Sequence, residues 1–132
     1  MSEQNEQKEY VFTYGTLRPS LYPHVEKRFG VKLVGKGILE STFSMYNLGA
    51  FPALTKTGDD TSIRGEVVET TNLRGLDHYE GYNSSGDGLY DRSQQKVTLD
   101  DGRVLTAWVY FMHKVPQDVE LVESGDWEDM RK

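Results

Sequence analysis

Glu80 ends the run Leu76-Asp77-His78-Tyr79-Glu80 at a spacing that matters for chemistry. Leu73 and Leu76 recur as one face of a helix, and position 80 falls on that face, where the period predicts another apolar side chain. A carboxylate in an apolar interior is costly unless a partner pairs with it or a reaction uses it. Held in such surroundings, a carboxyl has its pKa raised and can take and return a proton near neutrality. The same residues also fit a helix that frays at its last turn and leaves Glu80 in water. A second candidate is Tyr14-Gly15-Thr16-Leu17. A glycine directly after a strand lets backbone approach a ligand closely, and successive loop N–H groups can bind an anion such as a carboxylate. An ordinary tight connection between strand and helix would carry the same tetrapeptide.

The elements that must position these residues are short. Tyr10 to Tyr14 is aromatic and β-branched and reads as a strand ended by Gly15, with a short helix expected between Tyr22 and Phe29. Leu33 to Leu48 reads as a strand in which Gly35 and Gly37 allow a bulge or close packing. Gly49 to Leu54 is an apolar patch interrupted by Pro52. A polar turn is expected over Lys56–Ser62, then a strand from Ile63 to Glu69. The helix around Leu73–Glu80 has Thr70, Thr71 or Asn72 as candidate caps and Gly81 as its stop. Asn83 to Gly88 has loop composition. Tyr90–Leu99 and Val104–Met112 pair as a hairpin through Asp101-Gly102, a dipeptide favoured in type I′ turns. Strands dominate and two short helices interrupt them, so the class is α+β, with a small barrel or strongly curled sheet.

Composition narrows the function. The chain has 132 residues, enough for one domain with its own core, and its zero cysteines exclude disulfides, thiolate metal sites and a cysteine nucleophile. The net charge of −6 lies at the ends: residues 1–9 hold three Glu against Lys8, and residues 118–132 hold six acids against Arg131 and Lys132. The middle is neutral, without the basic footprint that nucleic-acid binding needs. No apolar run approaches a membrane span and no secretory signal is visible, so a cytoplasmic protein is expected. The expected layout is a tail over 1–9, one domain over 10–127 and a tail over 128–132. His24, His78 and His113 lack the spacing of a helical zinc site, and neither a G-x-S-x-G elbow nor a phosphate-binding glycine loop is present.

Several short motifs occur in a fixed order: Tyr14-Gly15-Thr16-Leu17-Arg18, Phe51-Pro52-Ala53, Gly65-Glu66-Val67, Leu76-Asp77 with Glu80-Gly81-Tyr82, Tyr90 with Arg92, Ala107-Trp108-Val109-Tyr110, and Ser124-Gly125-Asp126-Trp127. Together, over residues 10–127, they resemble the gamma-glutamylcyclotransferase-like family. The resemblance implies a small, mostly antiparallel β-barrel flanked by short helices, with a pocket at its mouth. It implies cyclisation of a small γ-glutamyl amine or γ-glutamyl dipeptide to 5-oxoproline with release of the amine or amino acid, without metal or organic cofactor. By motif match, Glu80 is the general acid/base, the backbone of Tyr14, Gly15, Thr16 and Leu17 holds the substrate's α-carboxylate and α-amino end, and Tyr90 and Tyr110 line the pocket. The chain departs from the family at Pro19-Ser20, where members often carry glycine. Asp77 and Arg92 read as structural, Asp77 accepting from a backbone group or from Arg92, and Arg92 pairing with an acid at the barrel rim. Two alternatives stand beside the enzyme. One is a non-catalytic module holding a carboxylated metabolite or peptide end in the same pocket; the other is a partner-binding protein that docks through Asp118–Asp129. The sequence gives no indication of oligomeric state.

Overall fold

The computed structural model describes residues 8–80 and 90–131, with the backbone alone at 80 and 131. Among the described residues, six strands and two α-helices follow one another as β1 (Glu9–Thr13), α1 (Val25–Phe29), β2 (Val31–Asn47), β3 (Pro52–Thr70), α2 (Leu73–Glu80), β4 (Asp91–Leu99), β5 (Val104–Phe111) and β6 (Glu120–Leu121). The sheet runs β3-β1-β5-β4-β2-β6, and β2 also pairs with β3, so five strands close on themselves as a small barrel. All these pairings are antiparallel except that of β1 with β5, which is parallel at Val11 and Trp108. The α+β barrel with short flanking helices expected from the sequence is therefore the architecture found.

Strand alternation divides the apolar residues between two cores. Phe12 and Tyr14 of the first segment and Ala107, Val109 and Phe111 of β5 point into the barrel, with Leu39, Phe43, Met45, Leu54, Val67 and Val97. Their neighbours Val11 and Tyr110 point outward and form a second core with Leu17, Val25, Val68, Leu76 and Tyr90. That outer core seats both helices. The α2 face that carries Leu73 and Leu76 turns toward it, as the 3.6-residue period requires.

Three boundaries differ from the sequence reading. The polar segment Lys56–Ser62 does not reverse the chain: β3 continues through it against β2 with a wide bulge, since Phe43 pairs with Lys56 and Ser41 with Thr61. Both faces of this stretch are largely solvated, so its composition resembles a loop although its backbone remains in a ladder. The β4–β5 connection is not type I′, because Asp101 lacks the positive φ that such a turn needs. Instead the Gly102 amide donates to the Leu99 carbonyl and Gly102 itself takes φ 95°, which is a type I turn followed by a glycine bulge. Finally, order reaches into both expected tails. Glu9 begins β1, and a 3-10 turn covers Trp127–Arg131.

The acidic C-terminal segment packs onto the barrel. Val122 and Trp127 are buried in the inner core, the Val122 amide donates to the Met45 carbonyl, and the Arg64 amide donates to the Gly125 carbonyl.

Candidate active site

The first strand leads directly into the site. After Thr13 the chain turns through Tyr14-Gly15-Thr16-Leu17, and the amides of Arg18, Leu21 and Tyr22 donate to carbonyls inside this loop. The amides of Gly15, Thr16 and Leu17 have no acceptor among the described residues. Gly15 and Leu17 are buried, and buried backbone donors are rarely left without a partner. These three consecutive N–H groups lie beside a cavity of about 320 Å³ lined by residues 11–17 together with Phe51, Pro52, Tyr79, Tyr90 and Tyr110. Gly15 is required by close approach: a Cβ there would sit 2.6 Å from Cγ and 2.7 Å from Cδ of Pro52.

A buried ionic frame supports the loop from behind. Glu66 on β3 has a side chain with 0% exposure, and that of Arg18 is 3% exposed. The Arg18 Nε donates to Glu66 Oε2 at 3.0 Å, and its Nη1 donates to Asp126 Oδ1 at 3.0 Å. The Ser20 amide donates to Glu66 Oε1 at 3.0 Å and the Ser20 hydroxyl donates to Oε2. One carboxylate thus fixes both ends of the Arg18–Ser20 segment, and every bond is charge-assisted. Asp126 closes the frame from the C-terminal segment, so this acid is engaged inside the domain.

A second frame holds α2. Asp77 Oδ1 accepts from Arg92 Nε at 2.9 Å and from the Tyr110 hydroxyl at 2.6 Å, while Arg92 Nη2 donates to Oδ2 at 3.3 Å. The Arg92 guanidinium lies 4.1 Å from the Trp108 ring centroid, and the Trp108 indole donates to Glu9 Oε1 at 3.1 Å. The Tyr14 hydroxyl donates to the Tyr110 carbonyl at 2.6 Å. The helix is thereby tied to β4, β5 and the end of β1. Its terminal turn reaches the cavity through Tyr79.

Residues 11–129 match the family model described as gamma-glutamyl cyclotransferase, AIG2-like. The chain belongs to that family. It is 34% identical over 126 residues to the "Putative gamma-glutamylcyclotransferase MJ1514" of Methanocaldococcus jannaschii, covering 93% of this chain and 98% of that one. It is 30% identical over 127 residues to the "Putative gamma-glutamylcyclotransferase CG2811" of Drosophila melanogaster, covering 88% of this chain and 77% of the relative. An AIG2-like protein from Mus musculus shares the fold with a TM-score of 0.71 at 23% identity, over 92% of this chain and 90% of that one.

Within this cyclotransferase-family chain, the residues singled out by sequence fall as follows. Tyr14, Gly15, Thr16, Leu17, Tyr90 and Tyr110 all line one cavity. The Leu17 side chain packs into the outer core, so only its backbone is positioned for a ligand. Glu80 ends α2, next to the cavity-lining Tyr79 and one turn beyond the buried Leu76; its side chain lies outside the described residues. The expected loop Asn83–Gly88 also lies outside them. Of the two partners open to Asp77 in the sequence, Arg92 is the one found, as a bidentate pair. What sequence reasoning did not assign is the frame around Glu66. The sequence offers only a partial signal: a charged residue directly before Val67-Val68, and a motif arginine at position 18 with no assigned partner. Tyr79 also lines the cavity, and so do Phe51 and Pro52.

Proposed function

We propose that the protein cyclises small γ-glutamyl amides to 5-oxoproline, with Glu80 relaying the proton. The observation that carries this reading is the run of three loop amides without acceptors among the described residues, beside a cavity that the last turn of α2 reaches. Family membership supports the reaction class. Such a run of N–H groups suits the substrate's α-carboxylate. Fixing that group restricts the flexible γ-glutamyl chain to conformers in which its α-amine faces its own γ-carbonyl, and positioning of this kind can supply a large share of a rate enhancement.

The bond changes balance without water or any other reactant. The α-amine starts largely as ammonium, since α-amino groups have pKa values near 8. Glu80 accepts a proton from it, and the freed nitrogen attacks the γ-carbonyl carbon. The new ring C–N bond forms and the bond to the leaving nitrogen breaks. The ring nitrogen keeps one hydrogen, and the departing amine gains the two that the α-nitrogen gives up. In this reading Glu80, the last residue of α2 and one turn beyond buried Leu76, acts first as base and then as acid.

A panel of γ-glutamyl amides in isotope-labelled water tests the reaction type. Cyclisation yields unlabelled 5-oxoproline and one equivalent of amine. Labelled glutamate would show hydrolysis, and retention of the amide without turnover would favour a binding module.

A further inference from the structure

We infer that the leaving-amine side of this cavity selects aromatic or long apolar amines over amino acids and charged amines; this rests on the cyclisation reading. Among the described residues, no lining side chain carries a formal charge. Three of the hydroxyls that line it are directed into the frame. Thr13 donates to the Glu66 carbonyl, Tyr14 to the Tyr110 carbonyl and Tyr110 to the Asp77 carboxylate. The backbone amides of the loop match the charged end of the γ-glutamyl group, which leaves ring faces, aliphatic edges and uncharged hydroxyls for the rest of the substrate.

Two of those rings are partly in water. Phe51 is 38% exposed and Tyr79 is 44% exposed, although both line the cavity. Neither is loosely placed. Phe51 directly precedes Pro52, whose ring lies against Gly15, and Tyr79 meets Phe29 edge-on with centroids 4.7 Å apart. An apolar amine laid across them would remove apolar surface from water and gain ring contacts. A leaving amino acid would instead bring its carboxylate to a wall that offers no cation among the described residues, and desolvating an unpaired charge is costly. Arg28 stacks at 5.8 Å on the Tyr79 ring but does not line the cavity.

The test compares γ-glutamyl benzylamide, γ-glutamylglycine and a γ-glutamyl diamine on the wild type and on Phe51→Ser, whose exposed side chain can be removed without opening the core. The benzylamide is expected to show a kcat/KM about tenfold or more above the other two, the scale of discrimination that a small apolar contact provides. Phe51→Ser should lower that ratio at least about threefold, because one of the two rings is lost. Equal turnover of all three, a preference for γ-glutamylglycine, or an unchanged ratio in Phe51→Ser would overturn the inference while leaving cyclisation intact. If none releases 5-oxoproline, the cyclisation reading fails and calorimetric Kd values for the same three amides decide the subsite. Tighter benzylamide binding that is reduced in Phe51→Ser would sustain it, and equal binding would end it.

Discussion

Replacing Glu66 by Gln keeps the side chain's shape and removes its charge from a site with no exposure. The carboxylate accepts from Arg18 Nε, the Ser20 amide and the Ser20 hydroxyl. A glutamine has one acceptor oxygen, so one orientation sets its NH2 against the guanidinium and the other against the Ser20 amide. Either choice leaves two donors facing each other. Breaking one side of a buried ion pair costs roughly 3–5 kcal/mol. Arg18 keeps Asp126 at 3.0 Å, which favours the lower end of that range. The expected loss of about 3 kcal/mol is a large part of the 5–15 kcal/mol typical of a whole domain. It corresponds to a fall in Tm on the order of 10 °C for a domain of this size. Urea unfolding should show a lower midpoint at an unchanged slope, with exposed Glu123→Gln as the control. Replacing both partners, Arg18→Met with Glu66→Leu, should recover part of the loss, since no unpaired charge remains in the interior. A Glu66→Gln protein within about 0.5 kcal/mol of wild type, the range of ordinary surface substitutions, would refute the argument.

Other perturbations follow from the same geometry. Gly15→Ala drives a methyl into the Pro52 ring, and overpacking of this kind costs about 1–3 kcal/mol; the substrate's KM should rise more than kcat falls, measured by steady-state kinetics. Tyr110→Phe removes a 2.6 Å bond to the Asp77 carboxylate, for a stability loss of about 1.5–3 kcal/mol in urea unfolding. The Asp101 carboxyl is held below its ordinary range, chiefly by the Arg103 backbone amide. Because its folded pKa is depressed, the stability it contributes is present above the ordinary carboxylate range and is lost as pH falls through the lowered value. Asp101→Asn should therefore reduce the acid dependence of hairpin stability, followed by the chemical shifts of Thr98 and Val104.

The sequence made β1, α2 and the β4–β5 hairpin legible because each couples a clear period to a clear stop. Alternating aromatic and β-branched residues end at Gly15, and Leu73 and Leu76 mark one helical face. The continuity of β3 was hidden because Lys56 to Ser62 is solvated on both faces, and periodicity reports burial rather than hydrogen bonding. The turn type is not legible from Asp-Gly, which also suits a type I turn followed by a glycine bulge. The cavity's first-strand loop was legible from a glycine placed after a strand, and the Asp77–Arg92 pair from charge and position. The Glu66 frame was not, because Glu66 meets Arg18 and Ser20, and Arg18 in turn meets Asp126, only when the barrel closes. Tyr79 illustrates the remaining ambiguity: an aromatic at helical spacing can pack or line a cavity, and here it does both.

The central claim is the proton relay through Glu80. It is tested most directly by the rate of 5-oxoproline formation from a saturating γ-glutamyl amide in wild type and in Glu80→Gln, with Kd measured alongside. Loss of a positioned acid/base predicts a fall in kcat of about 10²- to 10⁴-fold at a nearly unchanged Kd. A Glu80→Gln protein that still forms 5-oxoproline at a rate comparable to wild type, or that loses binding as completely as turnover, would contradict it.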